Sequence, residues 1–276
     1  MTNPKTLEPA MEGVQTVYHL AAKPSNAWSQ QIFNINFKGT TNVFFKASKA
    51  GVKRLVHMSS LVVHEFQDFE GADETTAIKK ARWYTRPYIK SKIKSENFLK
   101  EHMDEMEVVI IRPGFLPFGP HDLLNAREII QRLDSGKNIP YINKGKSKLC
   151  YVYVENLANA LEKAGTHPDA PGETFLIADD DPPYITMRQF IQAICNELKV
   201  DPLDVSIPYN LAAPFVALID LFYRIFLRKK MPTISMYTLK LSKYDLFFHS
   251  DKAKRILGIC TTNFVRRGNR KNYRMV

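Results

Sequence analysis

The stretch GVQTVYHLAAKPSNAWSQQIFNINFKGTTNVFFKASKAGVKRLVHMSS, residues 13–60, decides the fold. It begins with a short β-rich run at 13–22 that ends in small residues, a pattern typical of a buried strand. Apolar residues then recur at helical spacing over 29–51, and Gly51 predicts the end of that helix. VKRLVHMSS at 52–60 predicts a second strand that ends in two hydroxyl side chains. The stretch therefore predicts a strand, a helix and a strand in succession.

The same alternation continues to residue 114. Residues 61–84 are mixed and loop-like, and PYIKSKIKSENFLKEH at 87–102 predicts a helix with Pro87 in its first turn. MEVVIIRPG at 106–114 predicts a third buried strand. Strands and helices that alternate in this way are typical of right-handed βαβ units in a parallel sheet. We therefore predict an α/β fold, a partial Rossmann-type doubly wound parallel sheet with a small C-terminal substrate lobe.

Beyond residue 120 the pattern loosens into a mixture of helices and strands. The further predicted elements are helices at 123–137, 154–165 and 186–200, the last with Thr186 as N-cap, and a strand at 172–179. We predict a truncated Rossmann-type dinucleotide-binding domain over 1–165. Residues 166–276 are predicted to form mainly a substrate-binding lobe, with interleaved sheet elements and a basic C-terminal tail.

Composition excludes several classes of function. The chain has 276 residues, a formal net charge of +11 and a pI near 9.4, but its basic residues are scattered and no RNA-binding aromatic motif accompanies them. The three cysteines, Cys150, Cys195 and Cys260, are far apart and odd in number, which indicates reduced thiols in the cytoplasm. No H-x-x-x-H pair occurs, so we expect no metal site. Because the basic residues are scattered, we also expect no nucleic-acid binding.

One segment is unusually apolar for a protein of this class. LAAPFVALIDLFYRIFL at 211–227 is followed by Arg228–Lys230, and it contains Pro214 and Asp220. It falls short of the roughly 20 residues that a membrane span needs. We therefore expect a buried or interfacial helix, with peripheral membrane contact through 211–230 as one possibility.

The pair Tyr88 and Lys92 raises the question of catalysis. The Y-x-x-x-K spacing alone is weak evidence, because about one such pair is expected by chance in a chain of this composition. On a helix, however, the two side chains share a face. We expect the ammonium of Lys92 to lower the pKa of the Tyr88 phenol, and a serine hydroxyl from Ser59–Ser60 to hold a substrate oxygen. Such a site exchanges protons with an alcohol or carbonyl, and a nicotinamide cofactor would carry the hydride.

Six blocks of sequence together resemble a known family. VYHLAA, NFKGTTNV, VKRLVHMSS, PYIKSK followed by SE, IIRPGFLPFGP and YVYVENLANAL occur in the order and spacing of extended short-chain dehydrogenases/reductases, the NAD-dependent epimerase/dehydratase superfamily. The resemblance covers residues 14–160 well and 172–258 more loosely. Within the family, the chain is most similar to 3β-hydroxysteroid dehydrogenase-like proteins.

The resemblance implies a role for particular residues. Tyr88 would be the acid/base, Lys92 would bind the nicotinamide ribose, Ser60 rather than Ser59 would orient the substrate oxygen, and Asn36 would support the site. Ala21, Ala22 and Pro113 would line NAD or NADP, together with Tyr88 and Lys92.

Plainer interpretations exist for several of these residues. Asn36 could be an amide on a helix surface, Ser59–Ser60 could be turn residues, and Pro113–Gly114 could be a strand terminator. We interpret His19 and His57 as packed or locally satisfied side chains.

The family's glycine-rich turn, which binds the dinucleotide pyrophosphate, has no counterpart in the sequence. About three strands and two helices of the family fold are therefore expected to be absent, which would make the strand at 14–20 a sheet edge and would put cofactor binding in question. The sequence leaves open whether the chain is unstable alone, packs against a partner or lacks upstream residues. The basic segment 261–276 is expected to be a solvated tail.

Three functions follow from these observations. The first is an NAD(P)-dependent oxidoreductase that acts on the CH–OH group of an apolar, sterol-like secondary alcohol. The second is a nucleotide-sugar epimerase or reductase of the same fold, and the third is a truncated, non-catalytic fragment. The resemblance further implies a homodimer.

Overall fold

The computed structural model describes residues 2–82, 85–119, 122, 126–137, 139–179, 184–202 and 204–260. Its strands are β1 Thr16–His19, β2 Arg54–Met58, β3 Phe69–Ala72, β4 Glu107–Pro113, β5 Leu116–Phe118, β6 Tyr141–Ile142, β7 Tyr151–Tyr153, β8 Thr174–Ile177, β9 Ser206–Ile207 and β10 Leu246–Phe248. Its helices are α1 Gln30–Phe33, α2 Gly39–Lys49, α3 Pro87–Glu101, α4 Ala126–Asp134, α5 Val154–Thr166, α6 Met187–Leu198, α7 Tyr209–Ile225, α8 Met236–Leu241 and α9 Asp251–Leu257.

The main sheet is parallel and has the strand order β1-β2-β4-β8. His57 of β2 lies opposite both His19 of β1 and Ile110 of β4, and Ile110 in turn lies opposite Thr174 of β8. Among the described residues β1 forms one edge of this sheet, as predicted. The predicted α/β architecture with parallel strands is therefore confirmed.

Alternating residues of β4 show that helices cover both faces of the main sheet. Val108 and Ile110 pack with Phe44 of α2 on one face, whereas Val109 and Ile111 belong to the cluster that includes residues of α5 and α9 on the other. All four β4 side chains are fully buried, and burial of one such side chain contributes about 1.5–3 kcal/mol. Since both faces are buried, β4 has a continuous apolar run rather than an alternating one.

The described residues also form three two-stranded parallel pairs, β5–β7, β6–β9 and β3–β10. α4 and α6 pack on β6 and β7 in one apolar cluster, and Thr186 caps α6 through a reciprocal bond with Gln189, as predicted. β8 comes from beyond residue 166 and joins the main sheet. The domain boundary at 165/166 stays a prediction.

Three local predictions need correction. The predicted helix over 29–51 is divided into α1 and α2 by a π-helical turn at Asn34–Lys38, and β3 lies within 61–84, which we predicted to be loop. Of the two alternatives for the apolar segment 211–227, a buried or an interfacial helix, the buried one is wrong, since Val216 and Asp220 are the only buried residues of α7. Of the described helices, none has the length and apolarity needed to cross a membrane. The tail at 261–276 lies outside the described residues.

Candidate active site

The end of β2 meets the first turn of α3. Ser60 is the second residue after this strand, and Pro87 begins α3, where a residue without an N–H is well tolerated. The Ser60 hydroxyl lies close enough to the Tyr88 phenol to lower the pKa of that phenol. One turn further along α3, the Lys92 ammonium donates a hydrogen bond to the carbonyl of Met58, at 2.6 Å, and lies 5.9 Å from the centroid of the Tyr88 ring. The structure thus brings Ser60, Tyr88 and Lys92 together.

The electrostatics of this group differ from the prediction. Burial raises the pKa of Tyr88 to about 12, and the nearby Ser60 hydroxyl offsets only part of that rise. Burial also lowers the pKa of Lys92 to about 8, although the carboxylate of Glu96 opposes this shift. The expectation that Lys92 lowers the pKa of Tyr88 is therefore wrong for this structure, since burial is the dominant cause and the ammonium is directed at a backbone carbonyl.

Ser59 faces a different set of groups. Its hydroxyl donates to Oε1 of Glu96 at 2.5 Å, and the same carboxylate receives two hydrogen bonds from Arg112. Arg112 also lies 3.3 Å from Nε2 of His64. These groups are buried, and they form a polar layer behind the candidate site. Sequence reasoning missed Glu96, although the spacing Tyr88, Lys92, Glu96 places three polar side chains at successive turns of one helix.

Asn36 links two parts of the site. It lies in the π-helical turn between α1 and α2 and is 3% exposed. Its Oδ1 accepts a hydrogen bond from the backbone N–H of Lys23 at 2.7 Å, and its Nδ2 donates to Oγ of Ser91 in α3 at 3.1 Å. The interpretation of Asn36 as a helix-surface amide is therefore wrong. The amide holds the loop after β1 against the helix that carries Tyr88.

His19 and His57 lie side by side beneath the site. Their ring centroids are 5.3 Å apart, and Nε2 of His19 lies 3.1 Å from Oγ1 of Thr40. His57 is 1% exposed, and within the described residues neither of its ring nitrogens has a hydrogen-bond partner. His19 is thus locally satisfied, as predicted, whereas His57 is packed but unsatisfied. Burial, reinforced by the charge of Lys92, lowers the pKa of both rings.

The predicted cofactor-lining residues lie at the carboxyl ends of β1 and β4, the two strands that flank β2 in the main sheet. Ala21 and Ala22 follow β1, and Pro113 is the last residue of β4. Gly114 comes next, and a side chain there would approach the backbone of Tyr151 to within 3.0 Å. This glycine is therefore required by a close approach of two backbones.

The described residues fit one end of a nicotinamide dinucleotide. Tyr88 and Lys92 suit the ribose beside the nicotinamide, because an ammonium has three donors and Met58 accepts from one of them. The pyrophosphate needs backbone N–H groups at a glycine-rich turn between a strand and a helix. No such turn occurs in the part of the chain that the structure describes.

An apolar wall surrounds the phenol of Tyr88. Val62, Val63 and Ile93 are buried there, and Phe115 and Tyr237 pack against them. Tyr237 belongs to α8, and burial raises the pKa of its phenol, with a smaller contribution from the nearby Tyr88 phenol. The arrangement places the hydroxyl groups of Ser60 and Tyr88 beside apolar side chains, with the Lys92 ammonium one helical turn away.

Comparison with known proteins gives three related findings. Residues 1–209 match the 3-beta hydroxysteroid dehydrogenase/isomerase family. The chain is 28% identical to sterol-4-alpha-carboxylate 3-dehydrogenase, decarboxylating, of Mus musculus, over 94% of this chain and 73% of that protein. It is 27% identical to 3beta-hydroxysteroid-dehydrogenase/decarboxylase isoform 1 of Arabidopsis thaliana, over 90% of this chain and 58% of that protein.

A solved structure shows the same fold at lower identity. UDP-glucose 4-epimerase from Thermotoga maritima, solved with UDP-glucose, has a TM-score of 0.69 and 18% identity over 94% of this chain and 76% of that one. At this identity the likeness concerns the fold alone, and it agrees with the parallel α/β sheet described above.

Proposed function

Because the chain belongs to the 3-beta hydroxysteroid dehydrogenase/isomerase family, whose members are oxidoreductases of the extended short-chain dehydrogenase/reductase type, we propose that it oxidises the CH–OH group of an apolar, sterol-like secondary alcohol with NAD or NADP. The observation that carries the proposal is the meeting of Ser60, Tyr88 and Lys92 at the end of β2. These are the three residue types that the chemistry requires, and they come from two separate elements.

Tyr88 is the proposed proton acceptor from the alcohol. A phenol with a pKa of about 12 holds its proton at neutral pH, so catalysis requires the phenolate to be stabilised when the site is filled. In this proposal the ammonium of Lys92, which contacts the carbonyl of Met58 in the structure, stabilises the phenolate once substrate and cofactor fill the site. Ser60 would hold the substrate oxygen next to Tyr88, and the proximity of its hydroxyl to the phenol, which lowers the pKa of Tyr88, supports this role.

The bound nicotinamide supplies a hydride acceptor, which no side chain can provide. On the protein side, Lys92 and Tyr88 would hold the adjoining ribose, and Ala21, Ala22 and Pro113 would line the cofactor. Asn36 would hold the loop after β1 against α3 through its hydrogen bonds with Lys23 and Ser91.

The apolar wall around Tyr88 supports the proposed substrate class. A nucleotide sugar presents hydroxyls and phosphates that would need polar partners, whereas Val62, Val63, Ile93 and Phe115 suit a hydrocarbon ring system. The names of the mouse and Arabidopsis relatives, which include a sterol and a hydroxysteroid, support the same substrate class.

A substrate panel tests the proposal. The purified chain is incubated with NAD+ or NADP+ and, separately, with a 3β-hydroxysterol, a 4-carboxylated 3β-hydroxysterol or UDP-glucose, and formation of reduced nicotinamide is followed by absorbance. We expect reduction with a sterol and none with UDP-glucose. Conversion of UDP-glucose to its C4 epimer would favour the nucleotide-sugar function instead, and inactivity with every pair would favour the non-catalytic fragment.

A further inference from the structure

A second phenol lies in the apolar wall beside Tyr88. Tyr88 and Tyr237 pack against the same cluster of buried side chains, which consists of Val62, Val63, Ile89 and Ile93. The Tyr237 ring also contacts Phe66 edge-on, with ring centroids 5.4 Å apart. Among the described members of this apolar cluster, only the two tyrosines carry polar side-chain atoms. Because a buried phenol usually finds a hydrogen-bond partner for its hydroxyl, the two phenols are suited to one another.

Asp220 links the start of α3 to the start of α8. Both of its carboxylate oxygens accept hydrogen bonds from Nη2 of Arg86 at 2.5 Å, and Oδ2 also accepts from the backbone N–H of Met236 at 2.9 Å. Arg86 is the N-cap residue of α3, two residues before Tyr88. Met236 is the first residue of α8, directly before Tyr237. One buried carboxylate therefore joins the first turns of the two helices that carry the phenols.

A capping box further fixes the start of α8. The side chain of Ser235 accepts a hydrogen bond from the backbone N–H of Thr238 at 3.2 Å, and the Thr238 hydroxyl accepts one from the backbone N–H of Ser235 at 3.0 Å. Ser235 is fully buried. Reciprocal bonds of this kind fix the point at which a helix begins, so Tyr237 in the first turn has a defined position beside the apolar wall.

Tyr237 is the phenol that keeps its proton. Burial raises the pKa of its hydroxyl, the nearby Tyr88 adds to this rise, and the Arg86 guanidinium opposes it. Tyr88 instead has the Ser60 hydroxyl beside it, which opposes the rise in its pKa, and Lys92 lies one helical turn away. Because a protonated phenol can donate a hydrogen bond, Tyr237 is a donor near the group that ionises in the proposed function.

We propose that the Tyr237 hydroxyl donates a hydrogen bond to the oxygen of Tyr88 when that phenol is ionised. This role rests on the proposed function, in which Tyr88 as a phenolate accepts the proton of the alcohol. The O–H bond of the alcohol breaks, a new O–H bond forms on Tyr88, and the hydride of the same carbon passes to the nicotinamide. The O–H bond of Tyr237 stays intact throughout. Hydrogen bonds to an ionised oxygen are stronger than those to a neutral one, so this donor favours the phenolate.

A tyrosine titration by NMR tests the contact without substrate or cofactor. Tyrosine labelled with 13C at the ζ carbon reports the ionisation of each phenol, and the Tyr88 resonance is assigned by its absence from Tyr88→Phe. In Tyr237→Phe, which keeps the ring, ionisation of Tyr88 should begin about one pH unit higher than in the unchanged chain, because a donor to the phenolate is lost.

The matched control is Tyr141→Phe. Tyr141 is also a buried phenol in an apolar cluster, but that cluster is separate from the apolar wall. Its hydroxyl has no hydrogen-bond partner among the described residues. The control should therefore leave the ionisation of Tyr88 unchanged, and circular dichroism across the pH range verifies that each variant is folded.

The pH profile of alcohol oxidation provides a second readout. With NAD+ or NADP+ and a 3β-hydroxysterol, Tyr237→Phe should lower kcat/KM about tenfold at neutral pH and displace its pH dependence by about one unit to higher pH, since this dependence reports ionisation of the base in the free enzyme. A loss of packing alone would lower activity equally at every pH. Tyr141→Phe should follow the unchanged chain in both respects.

The proposal is overturned if the folded Tyr237→Phe variant leaves the ionisation of Tyr88 where it is in the unchanged chain. It is also overturned if the pH profile of that variant keeps its position. If the unchanged chain oxidises no alcohol, the proposed function fails, whereas the titration still decides whether Tyr237 contacts the Tyr88 phenolate. The two failures are therefore distinguishable.

Discussion

Glu96 and Arg112 form a doubly hydrogen-bonded ion pair in the interior of the protein. Nη2 of Arg112 lies 2.6 Å from Oε2 of Glu96, and its Nε lies 3.0 Å from Oε1. The side chains are 0% and 1% exposed. Glu96 is on α3 and Arg112 is on β4, and the carboxylate of Glu96 also accepts a hydrogen bond from Ser59, which follows β2. The ion pair therefore links α3, β4 and the end of β2, the region that contains Tyr88 and Lys92.

We expect removal of one partner to destabilise the fold strongly. Glu96→Ala leaves the guanidinium of Arg112 buried without its counter-charge, and such a change costs about 3–5 kcal/mol of unfolding free energy. Urea unfolding followed by circular dichroism measures the effect. Glu128→Ala is the matched control, because its ion pair with Arg132 on α4 is exposed and should contribute no more than about 0.5 kcal/mol. Equal losses for the two variants would contradict the structural role of Glu96.

The two adjacent serines should separate stability from catalysis. Ser59→Ala removes a hydrogen bond to a buried carboxylate and should cost about 1–3 kcal/mol of stability, with turnover per folded molecule largely retained. Ser60→Ala removes the hydroxyl beside Tyr88 and should lower turnover about 100-fold, with a smaller effect on stability. Steady-state kinetics and urea unfolding of both variants check this. The opposite pattern would assign the substrate contact to Ser59.

Buried histidines predict a loss of stability in mild acid. The pKa of His19 and that of His64 are lowered from 6.5 to about 4, mainly by burial, and burial lowers that of His57 as well. Below pH 6.5 the unfolded chain binds protons that the folded chain does not, so stability should fall as the pH decreases from about 6.5 to about 4. Each ring contributes a slope of at most about 1.4 kcal/mol per pH unit. His57→Phe should therefore flatten the dependence of urea midpoints on pH, and an unchanged slope would contradict the assignment.

Much of the sheet could be predicted because its signals are local. β4 contains the continuous apolar run Val108–Ile111, which is typical of a parallel strand buried on both faces, and Gly51 follows the end of α2 with a φ of 73°. β3 was missed because its pairing partner, β10, lies far along the chain and Phe69–Ala72 has no alternation of its own.

The chemistry of the site was less accessible from the sequence. The residue types at positions 60, 88 and 92 could be proposed from their order, but the ion pair of Glu96 with Arg112 joins two elements and depends on the packing of α3 against β4. The pKa of Tyr88 was predicted in the wrong direction because burial of the phenol, and not the nearby lysine, is the dominant cause. The sequence also could not distinguish a buried from an exposed α7, because an apolar run of this kind occurs both in protein cores and on surfaces.

The most direct test of the account compares the unchanged chain with Tyr88→Phe in the presence of NAD+ or NADP+ and a 3β-hydroxysterol. Cofactor binding is measured by calorimetry alongside the kinetics, with Lys92→Ala as a second variant. We predict that Tyr88→Phe lowers turnover by about 100-fold or more with cofactor affinity nearly unchanged, and that Lys92→Ala weakens both. Near-normal turnover by Tyr88→Phe, or no reduction of either nicotinamide by the unchanged chain, would contradict the proposed acid/base site.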